Sequence, residues 1–179
     1  MLNRYIPIAP MLALCSTILQ AASILDDDSS NDLQWQPQTP FEESKTTLPE
    51  RINLDDLQEF QVGASDPHFR YYIERGSLQT ASDKVTRFVV VIRSHTGVIN
   101  SSYEGIRCGE RLFKVYAYGG ADKLFPAAHS EWRDIPKDES TDYRATLYDD
   151  LICNLLTGRS NPPDAIFRAM SNQYTLGGD

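Results

Sequence analysis

The sequence predicts an α+β fold: an antiparallel β-sheet of about five strands, with C-terminal helices packed on one face and one disulfide. Three observations carry that prediction. Between residues 57 and 119, β-branched and aromatic runs alternate with short turns. After Tyr143 the apolar spacing changes from two to four. Cys108 and Cys153 are the two cysteines that remain once a leader segment is set aside.

That leader occupies residues 1–22. Arg4 is its sole charge, an apolar stretch covers residues 6–19, and the small residues Ala21, Ala22 and Ser23 follow. This is the three-part layout of a secretory signal peptide, with cleavage expected after Ala22 or Ser23. An uncleaved anchor is the alternative, but Pro7 and Pro10 would break a helix there and the apolar stretch is short for a span. Leu12-Ala13-Leu14-Cys15 is a partial lipoprotein signature. Leu14 is larger than the small residue that normally precedes a lipidated cysteine, so Cys15 reads as an apolar filler of a discarded segment.

Residues 23–40 read as an acidic, disordered linker. Asp26, Asp27, Asp28 and Asp32 sit among Ser, Asn, Gln and Pro, a composition that buries too little apolar surface to offset its ordering entropy. The chain carries 17 Lys+Arg and 25 Asp+Glu, a net charge of −8. Residues 23–50 hold seven acids and one base, so most of the acidity belongs to the linker end. The balance argues against nucleic-acid binding, which needs a basic stripe. Three adjacent aspartates do not alternate as a Ca²⁺ loop does. No apolar run reaches the roughly 18–20 residues of a transmembrane helix.

The body, residues 41–176, opens with a short strand at 57–62. In Phe69–Glu74, Phe69, Tyr71 and Ile73 share one face. Gly76 breaks that strand, and a short strand at 77–80 leads to a polar turn at Ser82-Asp83-Lys84. Val85–Ser94 is the strongest β segment and reads as a central strand, with Phe88, Val90 and Ile92 on one face and Val89 and Val91 on the other. Thr96-Gly97 makes a turn into a strand at 98–108, where Val98, Ile106 and Cys108 share a face by parity. A second turn, Gly109-Glu110-Arg111, leads to a strand at 112–118. Short turns between successive strands imply antiparallel pairing. Residues 132–135 supply one more short strand.

In residues 143–153, Tyr143, Leu147 and Leu151 are spaced by four, and Tyr148 and Ile152 extend the stripe. Ser140, Thr141 and Asp142 offer caps, and the spacing predicts a helix of about three turns. Asn161-Pro162-Pro163-Asp164 starts a second helix whose apolar residues are Ile166, Phe167 and Met170. Two cysteines in an exported chain favour a disulfide, with two buried free thiols as the alternative. A crosslink over this separation contributes about 4 kcal/mol in the chain-entropy model.

Ser102-Tyr103-Glu104-Gly105-Ile106-Arg107-Cys108, then Lys114-Val115-Tyr116-Ala117-Tyr118-Gly119, then Ser130-Glu131-Trp132-Arg133, with Tyr143 and Cys153, resemble the CNP1-like family of exported proteobacterial proteins. Phe41-Glu42-Glu43 and Leu48-Pro49 resemble that family's opening stretch. The resemblance covers roughly residues 41–153. It implies an envelope location and brings no catalytic residue or cofactor.

Chemistry-bearing groups are few. His68 lies in a loop and His95 in a hairpin turn. His129, Ser130 and Glu131 form the one place where His, Ser and an acid cluster, and an envelope hydrolase built there is an alternative function. Adjacent strand residues point to opposite faces, however, and there is no Gly-x-Ser-x-Gly elbow. Gly119-Gly120 lacks the spacing and the lysine of a phosphate loop. No catalytic residue, metal site or cofactor is therefore assigned. Arg107, Arg111, Lys114 and Arg133 are the candidate anion-binding group, for an anionic glycan or lipid headgroup. The competing reading makes them strand-edge charges paired with Glu104, Glu110 and Glu131. Tyr71, Tyr72, Tyr103, Tyr116 and Tyr118 would form a sugar-stacking platform, or pack as core and cross-strand pairs. The expectation is a periplasmic, non-catalytic binding or scaffolding domain. A membrane-anchored lipoprotein or adhesin is a further alternative.

Overall fold

The computed structural model describes residues 40–63, 68–137 and 141–175. The expected signal segment, the acidic linker up to Thr39, and the Gly177–Asp179 tail lie outside the described residues. The strands are β1 (Leu57–Phe60), β2 (Phe69–Glu74), β3 (Gln79–Thr80), β4 (Val85–Ser94), β5 (Ile99–Arg107), β6 (Leu112–Gly119), β7 (Leu124–Pro126) and β8 (Arg133–Asp134). Helix α1 (Tyr143–Thr146) runs on through a π-helical turn at Leu147–Ile152. A two-stranded hairpin, β9 (Cys153–Asn154) and β10 (Arg159–Ser160), precedes helix α2 (Pro163–Thr175).

The sheet runs β1-β2-β4-β5-β6-β7, antiparallel throughout. β3 shares one edge of β4 with β2, and β8 shares one edge of β6 with β7. Eight strands therefore form the described sheet, which corrects the expectation of about five. β3 and β8 fall within the short strands expected at 77–80 and 132–135, and β7, with no expected counterpart, is too short for a period-two alternation to show. The helical content is also smaller than expected. One α-turn and one π-turn replace three regular turns, although the predicted stripe of Tyr143, Leu147, Tyr148, Leu151 and Ile152 is buried.

β4 is covered on both faces. Phe88 and Val90 join Ile106, Phe113 and Val115 in a core shared with Leu147, Leu151, Ile152, Ile166 and Met170 from the helical layer. On the other face Val89 and Val91 pack with Tyr103 and Ala117. There the cover is the irregular segment at 40–56, a strap that contributes Leu48, Ile52 and Leu54. Burial of these apolar side chains at about 25 cal/mol per Å² is the dominant stabilising term of such a fold.

Cys108 follows β5 and Cys153 opens β9. Their sulfurs are bonded at 1.99 Å, with Cα atoms 5.4 Å apart. The bond ties the sheet to the helical layer, and the Tyr148 hydroxyl donates to the Cys108 carbonyl at 2.7 Å beside it. Among the described residues, no helix is long and apolar enough to cross a membrane.

Candidate functional site

The four cations singled out in the sequence do not form one group, although Arg107 and Lys114 meet over the Trp132 ring, 5.3 and 5.7 Å from its centroid. Arg107 lies over the Phe41 ring, 3.5 Å from its centroid, and pairs with Glu110. Lys114 donates to Glu43 at 2.8 Å, and the Tyr116 hydroxyl donates to the same carboxylate at 2.7 Å. Burial pushes Glu43 up, but the bonds from Lys114, Tyr116 and Trp132 outweigh it and hold the carboxyl below its ordinary value. Arg111 serves the opposite face of the sheet. It grips Asp149 with two bonds, at 2.6 and 2.8 Å, and donates to the carbonyls of Ile135 and Pro136. Arg133 is exposed and lies over the Phe113 ring. Three of the four are thus held by carboxylates of the same chain: Glu110, Glu43 and Asp149.

Around His129 the groups also diverge. His129 and Glu131 are exposed, while the Ser130 hydroxyl donates to the Val115 carbonyl at 2.7 Å. The tyrosines are mostly packing groups. Tyr71 stacks between Phe60 and Tyr143, and Tyr103 lies against Tyr116; Tyr118 is exposed.

Glu104 has a partner that its sequence neighbours did not suggest. It is 0% exposed and accepts from Ser102 and Tyr143, both at 2.6 Å, and from Arg144 at 2.7 and 2.8 Å. Burial, then the Glu104 charge, raise the Tyr143 phenol well above its ordinary value. Burial lowers Arg144, but the Glu104 charge more than compensates and its proton is held more tightly. A buried carboxylate with four donors is a fastening between β5 and α1.

A different cluster is open to solvent. Alternation puts Arg70 and Tyr72 of β2, and Arg93 of β4, on the strap-side face, and His68 and His95 continue the same parity. Register then sets Arg70 directly opposite Arg93. His95 donates its backbone N–H to the His68 carbonyl at 2.9 Å, and the two imidazole rings lie 5.3 Å apart. Gly97, at φ 87°, supplies the left-handed turn that returns the chain into β5 and closes this rim. These residues line a cleft of about 500 Å³. The Arg93 guanidinium sits 5.3 Å from the Tyr72 ring centroid, and its Nε is buried without a hydrogen-bond partner. Arg70 reaches Glu59 at 3.4 Å. In the sequence His68 lies in a loop, His95 in a hairpin turn and Arg93 near the end of a strand. Only the pairing of β2 with β4 joins them.

Residues 36–170 match the model of the CNP1-like family. No curated protein and no solved structure matches the chain.

Proposed function

The chain belongs to the CNP1-like family, and from that premise we propose that it is an exported, non-catalytic binding or scaffolding domain of the cell envelope. The contrast between two sets of polar groups carries this reading. Glu104, Glu43 and Asp149 are each bonded to cations of the same chain and fasten its layers together. Arg70, which also reaches Glu59, lines an open cleft with Arg93, His68 and His95. Cations and imidazoles facing solvent suit recognition of a partner. Export is supported by the leader-like segment at 1–22 and by the Cys108–Cys153 bond, which an oxidising compartment maintains.

Intact mass of the protein from fractionated cells tests this, with alkylation before and after reduction. The expected species is periplasmic, begins after Ala22 or Ser23, and takes up alkylating agent only once reduced. A full-length chain resident in the cytosol, or a lipid on Cys15, would overturn the reading. So would turnover of an ester, amide or glycoside panel that disappears in Ser130→Ala.

A further inference from the structure

We infer that the cleft between the ends of β2 and β4 binds a phosphate-type oxyanion, held between Arg70 and Arg93 with the His68 and His95 imidazoles at its rim. This inference rests on the reading of the chain as a binding domain and names the ligand class of its open cleft.

Like charges directly opposite one another on paired strands repel, and this sheet holds two arginines in that relation. Among the described residues, one carboxylate, Glu59, is within ion-pair reach of the pair. It lies 3.4 Å from Arg70, whose side chain is 70% exposed. Arg93 departs from the pattern of the other arginines. Among the described residues, Arg87, Arg107, Arg111 and Arg144 are buried or half-buried and each has a carboxylate partner. Arg93 is half-buried and has none; its charged group lies against the Tyr72 ring. Its Nε, like that of Arg87, is buried and unbonded, but the Arg87 guanidinium is met by Asp83 whereas among the described residues no carboxylate meets that of Arg93, and such groups in folded proteins call for a partner.

Arg70 lines the cleft from β2, Arg93 from β4, and His68 and His95 from the turn side. Guanidinium groups match phosphate oxygens with paired bonds. A cleft of about 500 Å³ exceeds what a free ion fills, so the anion is expected to be a group on a larger molecule.

Two probes test the site and distinguish its sources. Inorganic phosphate is titrated into the ¹⁵N-labelled mature chain, and sedimentation is followed with vesicles of phosphatidylglycerol and phosphatidylcholine against vesicles of phosphatidylcholine alone. Saturable shifts confined to residues 68–72 and 93–97 are expected. Arg93→Gln and Arg70→Gln should each weaken phosphate at least tenfold, and the exposed Arg168→Gln on α2 should leave it unchanged. Vesicle binding that needs the anionic lipid and is competed by phosphate assigns a headgroup; phosphate binding without vesicle binding assigns a soluble anion. Arg70 is exposed, so its variant keeps the test available if Arg93→Gln does not fold. Absence of saturable shifts, or equal loss in Arg168→Gln, would overturn the inference. A chain retained in the cytosol would remove the envelope reading and leave this titration intact.

Discussion

Asp83 shows how much one polar side chain contributes here. It is 1% exposed, yet it accepts from both Arg87 terminal nitrogens at 3.1 and 2.7 Å, from the Val85 N–H at 3.1 Å and from the Ser44 N–H at 2.9 Å. Burial pushes its carboxyl up, but the Arg87 bonds and the two backbone donors win and hold it at about 2. The unfolded value is about 3.9, so the folded state favours the ionised form by about 2–3 kcal/mol. That contribution is complete above about pH 4 and is lost as pH falls toward 2. Urea unfolding of the wild type and Asp83→Asn across this range should show a stability gap that closes by about 2–3 kcal/mol on acidification. A gap independent of pH would mean that Asp83 is not so perturbed. Glu74 has the opposite sign. Burial holds its carboxyl above the ordinary value, the Asn53 N–H at 2.6 Å lowers it, and the Asp56 charge adds to the rise. Its ionisation therefore weakens the fold as pH rises through the carboxylate range.

At the scale of the element, the β5–β6 pair is the most constrained. Register shifts by one residue between Tyr103 and Glu104, leaving Tyr116 as the extra residue of β6. Tyr116 then lies over Gly105, where an added Cβ would meet its ring and hydroxyl at 3.0 Å and the Val85 side chain at 2.9 Å. Gly105→Ala should cost about 1–3 kcal/mol, because side chains can shift. Gly119→Ala should cost more: its Cβ would fall 1.8 Å from the backbone oxygen of Lys123, so the turn itself must move. Comparing their denaturation midpoints checks this ordering, and a Gly119→Ala as stable as Gly105→Ala would refute it. The long strands and α2 were legible in the sequence because alternation, breakers and the proline start act locally. The short strands expected at 77–80 and 132–135 contain β3 and β8, whereas β7 was not legible, since three residues carry no period. The π-turn at Leu147–Ile152 buries the same stripe as an α-turn, so apolar spacing alone does not separate them. The Arg70–Arg93 pair and the Glu104–Arg144 fastening were not legible for a different reason. Each joins residues more than twenty positions apart, and register is settled by the whole sheet.

At the scale of the molecule, three layers are joined at separate places. The strap holds one sheet face through Glu43 and Ile52, and the helical layer holds the other through Glu104–Arg144, Arg111–Asp149 and the disulfide. Because the two ion pairs fasten the helices independently, loss of the sulfur bond acts mainly by releasing the unfolded chain. Cys108→Ser/Cys153→Ser should keep the far-UV spectrum and lose about 2–4 kcal/mol in urea. The bond also lies at the opposite end of β4 from the cleft: Val85 pairs with Arg107, next to Cys108, whereas Ser94 leads into His95. Ten strand residues at 3.3 Å each separate the two by about 30 Å. The serine variant should therefore bind phosphate as the wild type does while unfolding earlier. A midpoint equal to that of the oxidised wild type would show that the crosslink contributes nothing. A parallel loss of phosphate binding would show that the far end of the sheet depends on it.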